Sequence, residues 1–106
     1  MLGSRRRIGY FAYQTLVGLV MIDSRKIEDL RPEVQSLAAQ LIEVCRRSGI
    51  RLIMTSTFRD YEKQNDLYAQ GRVRPGSIVT NARGGYSYHN FGVAFDVCPI
   101  VNGKCE

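Results

Sequence analysis

The sequence predicts an α+β fold, a small antiparallel sheet with helices packed on it. Three stretches lead to that class. Pro32 to Ser48 places Val34, Leu37, Ala38, Leu41, Ile42 and Cys45 at steps of three and four, one face of a helix. Ile50 to Thr57 is short, apolar and β-branched, the pattern of a buried strand. Gly92 to Cys98 alternates, with Val93, Phe95 and Val97 on one face and Ala94, Asp96 and Cys98 on the other.

Local signals agree with these assignments. Pro32 suits a first helical turn, where its missing N–H has no partner to lose. Arg46 and Arg47 fall in the last turn, where the helix dipole favours cations, and Gly49 takes the left-handed stop. Leu41 lies mid-stripe and is expected in the core. Asp60 is a suitable N-cap for a second helix, Tyr61 to Gln70, closed by Gly71, with Leu67 and Tyr68 turned inward. Residues 72–86 contain Pro75-Gly76 and Gly84-Gly85 and read as a long loop, a length usually kept for function. Asn102-Gly103 marks a tight hairpin turn, yet only Lys104, Cys105 and Glu106 follow it, so the sequence looks cut.

A chain of 106 residues, 44% apolar and 24% charged, fits one small globular domain. The net charge is +5, but Arg5, Arg6 and Arg7 account for three of it; from Met21 onward 12 Lys and Arg stand against 10 Asp and Glu. The remaining cations are scattered among acids, so no nucleic-acid partner is expected. Three cysteines without a short Cys-x-x-Cys spacing argue against a disulfide framework and a structural zinc knuckle. Cys45 reads as a small buried hydrophobe; Cys98 and Cys105 are close enough in sequence to meet across a turn, but nothing requires it.

Residues 1–20 differ in character from residues 21–106 and form an N-terminal extension. Three arginines followed by the apolar stretch Ile8 to Ile22 resemble the start of a signal peptide, although no small-x-small cleavage site follows. The stretch is short for a membrane span and holds Gln14, Thr15 and two glycines, so no stable span is expected. An added strand or helix, or a leader before a start at Met21, are equally open. The sequence does not set the oligomeric state.

His89 is the sole histidine, placed at the end of the glycine-rich loop and just before a strand carrying Asp96. Imidazole nitrogen and carboxylate oxygen both suit zinc, whose catalytic sites want three protein ligands and a water. Ser87-Tyr88-His89-Asn90-Phe91-Gly92-Val93-Ala94-Phe95-Asp96 matches an SxHxxGxAxD pattern. Upstream lie Thr55-Ser56-Thr57-Phe58-Arg59, Gln64, Leu67-Tyr68-Ala69-Gln70-Gly71-Arg72, Pro75-Gly76 and Ile78-Val79-Thr80-Asn81-Ala82. Together these resemble the zinc peptidases of the D-alanyl-D-alanine carboxypeptidase superfamily, most of all the L-alanoyl-D-glutamate endopeptidases of phage endolysins and bacterial wall hydrolases. The resemblance covers about residues 22–106.

The resemblance implies Zn²⁺ as cofactor, His89 and Asp96 as its ligands, Arg59 as a catalytic group stabilising an oxyanion, and Ser87 and Gln64 as substrate contacts. It implies hydrolysis of a peptide bond in the peptidoglycan stem, of the L-Ala-D-Glu or D-Ala-D-Ala type, at the cell wall, in the periplasm or in phage lysis. The sequence departs from that pattern where a general-base carboxylate and a third ligand, a histidine, are expected after the hairpin. Residues 21–106 therefore read as a C-terminally truncated, zinc DD-peptidase-like domain, with little activity expected unless that segment is restored. Cys98 or Glu106 as substitute ligands, and a non-catalytic wall-peptide-binding remnant or a functionless fragment, stay open as alternatives.

Overall fold

The computed structural model describes residues 21–106; the N-terminal extension, residues 1–20, lies outside the described residues. A 3₁₀ turn at Ile27–Asp29 leads into helix α1, Pro32–Arg47. Strand β1 is Arg51–Ser56, helix α2 is Tyr61–Ala69, and a second 3₁₀ turn spans Tyr88–Phe91. Strands β2, Asp96–Val101, and β3, Lys104–Cys105, complete an antiparallel sheet in the order β1-β2-β3, with α1 against β1. The fold is α+β, as the sequence predicts.

Helix α1 starts with Pro32 at its first position and ends with Gly49 at φ +83°. Glu43 accepts from Arg46 at 2.8 Å and from Arg47 at 3.2 Å in the last turn. The Arg46 hydrogen bond, and then that of Arg47, hold the Glu43 carboxyl below the usual carboxylate range. In α2, the Asp60 side chain caps the helix by accepting from the Lys63 backbone N–H at 2.8 Å. No regular element occupies the loop from Gln70 to Ser87, as expected.

The alternation from Gly92 to Cys98 is not a strand along its length. A 3₁₀ turn at Tyr88–Phe91 precedes it, Gly92 ends that turn at φ +70°, and β2 begins only at Asp96. The left-handed glycine redirects the chain, and Val93 is 40% exposed instead of facing a core. A register irregularity between Met54 and Ser56 then lets Ser56 pair with Asp96. The hairpin expected at Asn102-Gly103 forms despite the shortness of its return: Ile100 pairs with Cys105 and Val101 with Lys104, both turn residues having positive φ. The Cys98–Cys105 disulfide, with Cα atoms 5.6 Å apart, spans the hairpin.

Apolar burial is thin. Leu30 and Ala38 are the buried hydrophobic residues among those described, while Leu41 is 38% exposed and Leu37 and Val44 lie further out. Leu41 is thus exposed and not the core residue expected, because the enclosed edge of α1 is the one that carries Ala38. The interior polar set is larger: Ser56, Thr57, Gln64, Asp66 and Asn90 are all buried. Replacing Ala38 with Leu should overpack the helix–sheet contact and cost about 1–3 kcal/mol. Leu41→Ala should cost about 1–2 kcal/mol, and Leu37→Ala under about 0.5 kcal/mol. Urea denaturation of the three variants reads the order; a larger loss at Leu37 than at Ala38 would show that another face of α1 packs on the sheet.

Candidate functional site

The site begins with a histidine fixed by backbone. Directly after β1, the Thr57 carbonyl accepts a hydrogen bond of 2.8 Å from His89 Nδ1. A carbonyl only accepts, so Nδ1 carries a proton, and in the neutral ring the lone pair is on Nε2. Nε2 lies 3.4 Å from Asp96 Oδ2. Asp96 reaches this position because it opens β2 opposite Ser56, one residue before Thr57. Two zinc ligands at about 2.0–2.1 Å and tetrahedral angles stand about 3.3 Å apart, so the His89–Asp96 spacing fits one shared ion. Among the described residues, no group of three His, Cys, Asp or Glu side chains could hold a metal.

The 3₁₀ turn that carries His89 is tied down at both ends. Ser87 Oγ accepts from the His89 N–H at 3.3 Å, and Asn90 Oδ1 accepts from Gly85 N at 2.9 Å and Ser87 N at 3.2 Å. Asn90 Nδ2 donates to the Arg59 carbonyl at 2.8 Å, and the Arg59 N–H donates to the His89 carbonyl at 3.0 Å. Gly84 is needed in the preceding loop, since a Cβ there would meet the Tyr61 carbonyl at 2.6 Å. The loop therefore closes onto α2 and β1 through polar groups.

Arg59 is held in a fan of acceptors. Its Nη1 donates to Gln64 Oε1 at 3.0 Å, its Nη2 to Ser56 Oγ at 2.9 Å, and its Nε lies 3.5 Å from Asp23 Oδ1. Asp23 also accepts from Ser56 Oγ at 2.8 Å. These contacts use three of the five guanidinium N–H groups and leave two for a ligand. Gln64 is 1% exposed and its Nε2 donates to the Ala82 carbonyl at 2.8 Å. Its amide thus faces Arg59 and the loop, not open solvent.

A cleft of about 480 Å³ gathers this set. Asp23, Ser56, Arg59, Ser87, His89 and Asp96 all line it, so four of the five sequence-predicted site residues converge and Gln64 stands directly behind Arg59. Sequence reasoning missed Asp23, Thr57 and Asn90 as parts of the site. Thr57 and Asn90 lie inside the quoted motifs, and their adjacency to Arg59 and His89 was the available signal. Asp23 offers no local pattern. Cys98 is not a candidate ligand here, because its sulfur is bonded to Cys105.

Asn90→Ala removes one amide that satisfies four backbone groups, at Gly85, Ser87, Arg59 and Asp60. The expected loss of stability is about 1–3 kcal/mol, read as a shift in denaturation midpoint. An unchanged midpoint would mean that water replaces the amide without cost.

The sequence profile of the VanY family, described as D-alanyl-D-alanine carboxypeptidase, matches residues 27–105. The peptidoglycan L-alanyl-D-glutamate endopeptidase CwlK of Bacillus subtilis (strain 168) is 47% identical over 68 residues, 64% of this chain and 41% of that protein. The chain therefore spans less than half the length of that curated relative. The matched segment contains the His89–Asp96 pair, Ser87 and Arg59 with its partners Ser56 and Gln64, and the chain belongs to the VanY D-alanyl-D-alanine carboxypeptidase family.

Proposed function

We propose that the chain serves zinc-dependent hydrolysis of a peptide bond in the peptidoglycan stem, at the cell wall and outside the cytoplasm. The observation that carries this reading is the approach of His89 Nε2 to Asp96 Oδ2, 3.4 Å, in a cleft shared with Arg59. The name of the relative CwlK supports a bond of the L-alanyl-D-glutamate type, and the family description a D-alanyl-D-alanine bond. Among the described residues, no helix is long and apolar enough to cross a membrane.

His89 and Asp96 are the residues that would hold zinc. Zinc held there would supply Lewis-acid polarisation of a carbonyl and a water of lowered pKa. The Thr57 carbonyl keeps the His89 lone pair on Nε2, where a ligand needs it. Arg59 directs its two remaining N–H groups at a substrate carbonyl or carboxylate, and its three fixed contacts keep it from following the ligand. The Ser87 hydroxyl accepts from His89 N and retains its own proton to donate to a peptide carbonyl. Gln64 and Asp23 act on substrate through Arg59.

A second reading is favoured by the ligand set: with two ligands among the described residues, this chain by itself grips wall peptides without turning them over. Zinc titration and peptide binding separate the possibilities. His89→Ala and Asp96→Asn should each weaken zinc binding by about 10–100-fold; an affinity unchanged from that of the parent chain in both variants would sink the metal reading. Cleavage of a stem peptide by the zinc-loaded chain supports the hydrolase, and binding without cleavage the module.

Arg59→Lys tests the fork geometry. Lysine keeps the charge but cannot match the contacts to Gln64 and Ser56 together. Stem-peptide affinity should fall by about tenfold, and an unchanged dissociation constant would remove Arg59 from the substrate contacts.

A further inference from the structure

The same loop that borders the Arg59 cleft lines a second pocket of about 350 Å³, formed by Tyr68, Asn81, Ala82, Arg83 and Tyr86. It contains no acidic side chain. Two guanidinium groups approach the Tyr68 ring, Arg72 at 3.9 Å and Arg83 at 5.0 Å from its centroid. They differ in how they are held. Arg72 donates to the Tyr68 and Thr80 carbonyls at 2.6 and 3.1 Å and to Asn81 Oδ1 at 2.9 Å, which commits it to the loop. The Arg83 carbonyl accepts from the Tyr86 N–H at 3.0 Å, but its guanidinium has no hydrogen bond or ion pair among the described residues; the Tyr68 ring is the one side-chain partner of that group, which lines the pocket. Tyr86, beside it, is 82% exposed.

Neighbouring residues of one loop segment line the two pockets. Thr80 lines the Arg59 cleft and Asn81 and Ala82 the second pocket; Ser87 lines the first and Tyr86 the second. The segment is stiff, because buried Gln64 links the Ala82 carbonyl to Arg59 and Asn90 holds Gly85 and Ser87. A peptide that leaves the Arg59 cleft along residues 80–87 would therefore pass Arg83. A cation stacked on an aromatic face, with its fork uncommitted, suits a planar anion.

We propose that the Arg83–Tyr68–Tyr86 pocket is a second anchor for the substrate peptide, binding a carboxylate away from the bond to be cleaved. This rests on the peptidoglycan reading above, since a stem containing glutamate supplies the acid. The anchor sets which peptides dwell in the cleft and leaves the zinc ligands alone, so its effect belongs to binding and not to the chemical step.

The test uses the isotopically labelled 106-residue chain and two stem peptides, one with free carboxylates and one with those carboxylates amidated. Nuclear magnetic resonance titration should show the Arg83 Nε–H and the backbone of residues 82–86 moving with the acidic peptide. Arg83→Ala should weaken that peptide by about tenfold and leave the amidated one unchanged, with Arg83→Lys in between. The lysine variant and a thermal midpoint guard against a folding defect. The proposal is overturned if Arg83→Ala affects both peptides equally, if signals move only around Ser87 and His89, or if neither peptide binds. Inorganic phosphate moving the Arg83 signal as tightly as the acidic peptide also overturns it. No hydrolysis is read, so a chain that binds through Arg83 but neither takes up zinc nor cleaves fails the hydrolase reading alone.

Discussion

The antiparallel pairing that seats Ser56 opposite Asp96 sets the rest of the site. Strand β1 ends there, and its next residues supply the Thr57 carbonyl for His89 and the Arg59 guanidinium for the cleft. Strand β2 starts there with a carboxylate. The irregularity between Met54 and Ser56 is part of this constraint, because a shift of one residue in a strand sends its side chains to the opposite face. Asp96 would then leave His89, and Ser56 would leave Arg59 and Asp23.

Around that pairing the chain places its buried volume in polar side chains. Gln64 and Thr57 are the largest fully buried side chains among the described residues, and Asn90 is nearly so. Each is satisfied: Gln64 by Arg59, Thr80 and Ala82, Thr57 Oγ1 by donating to the Lys26 carbonyl at 2.9 Å, and Asn90 by four backbone groups. Buried amides with every donor and acceptor matched favour one arrangement strongly, since any other leaves a desolvated polar group. Rigidity at the cleft therefore comes from hydrogen bonds, while the apolar contact of α1 with β1 is slight.

Much of this was legible in the sequence, and the divisions are physical. Helix α1 was announced by its stripe, its proline and its terminal arginines, because each acts within a turn of itself. The depth of burial was not: the stripe gives a direction, and Leu41 and Ala38 both point along it, but only the packing distance decides that Ala38 is enclosed. The alternation after Gly92 misled because period-two hydrophobicity also arises where a left-handed glycine bends the chain. His89, Asp96, Ser87 and Arg59 were found through a motif whose residues are near in sequence. Asp23 meets Arg59 across 36 residues and depends on the bridge between their backbones, which no local pattern encodes.

The disulfide across the terminal hairpin lies on the carboxylate side of the cleft and not on the imidazole side. His89 sits on a turn tied to Thr57, Ser87 and Arg59 by hydrogen bonds that no reductant touches. Asp96 belongs to a strand that pairs with β1 along its length, and that strand carries at Cys98 the disulfide that clasps the two-pair β3 return. In an oxidising exterior the clasp persists, whereas cytosolic thiol pools would open it. Oxidation state thus acts on the outer hairpin, while the β1 pairing holds Asp96 opposite Ser56 in either state. Folding in a reducing compartment would deliver a chain with its histidine in place and the outer end of the carboxylate's strand less restrained.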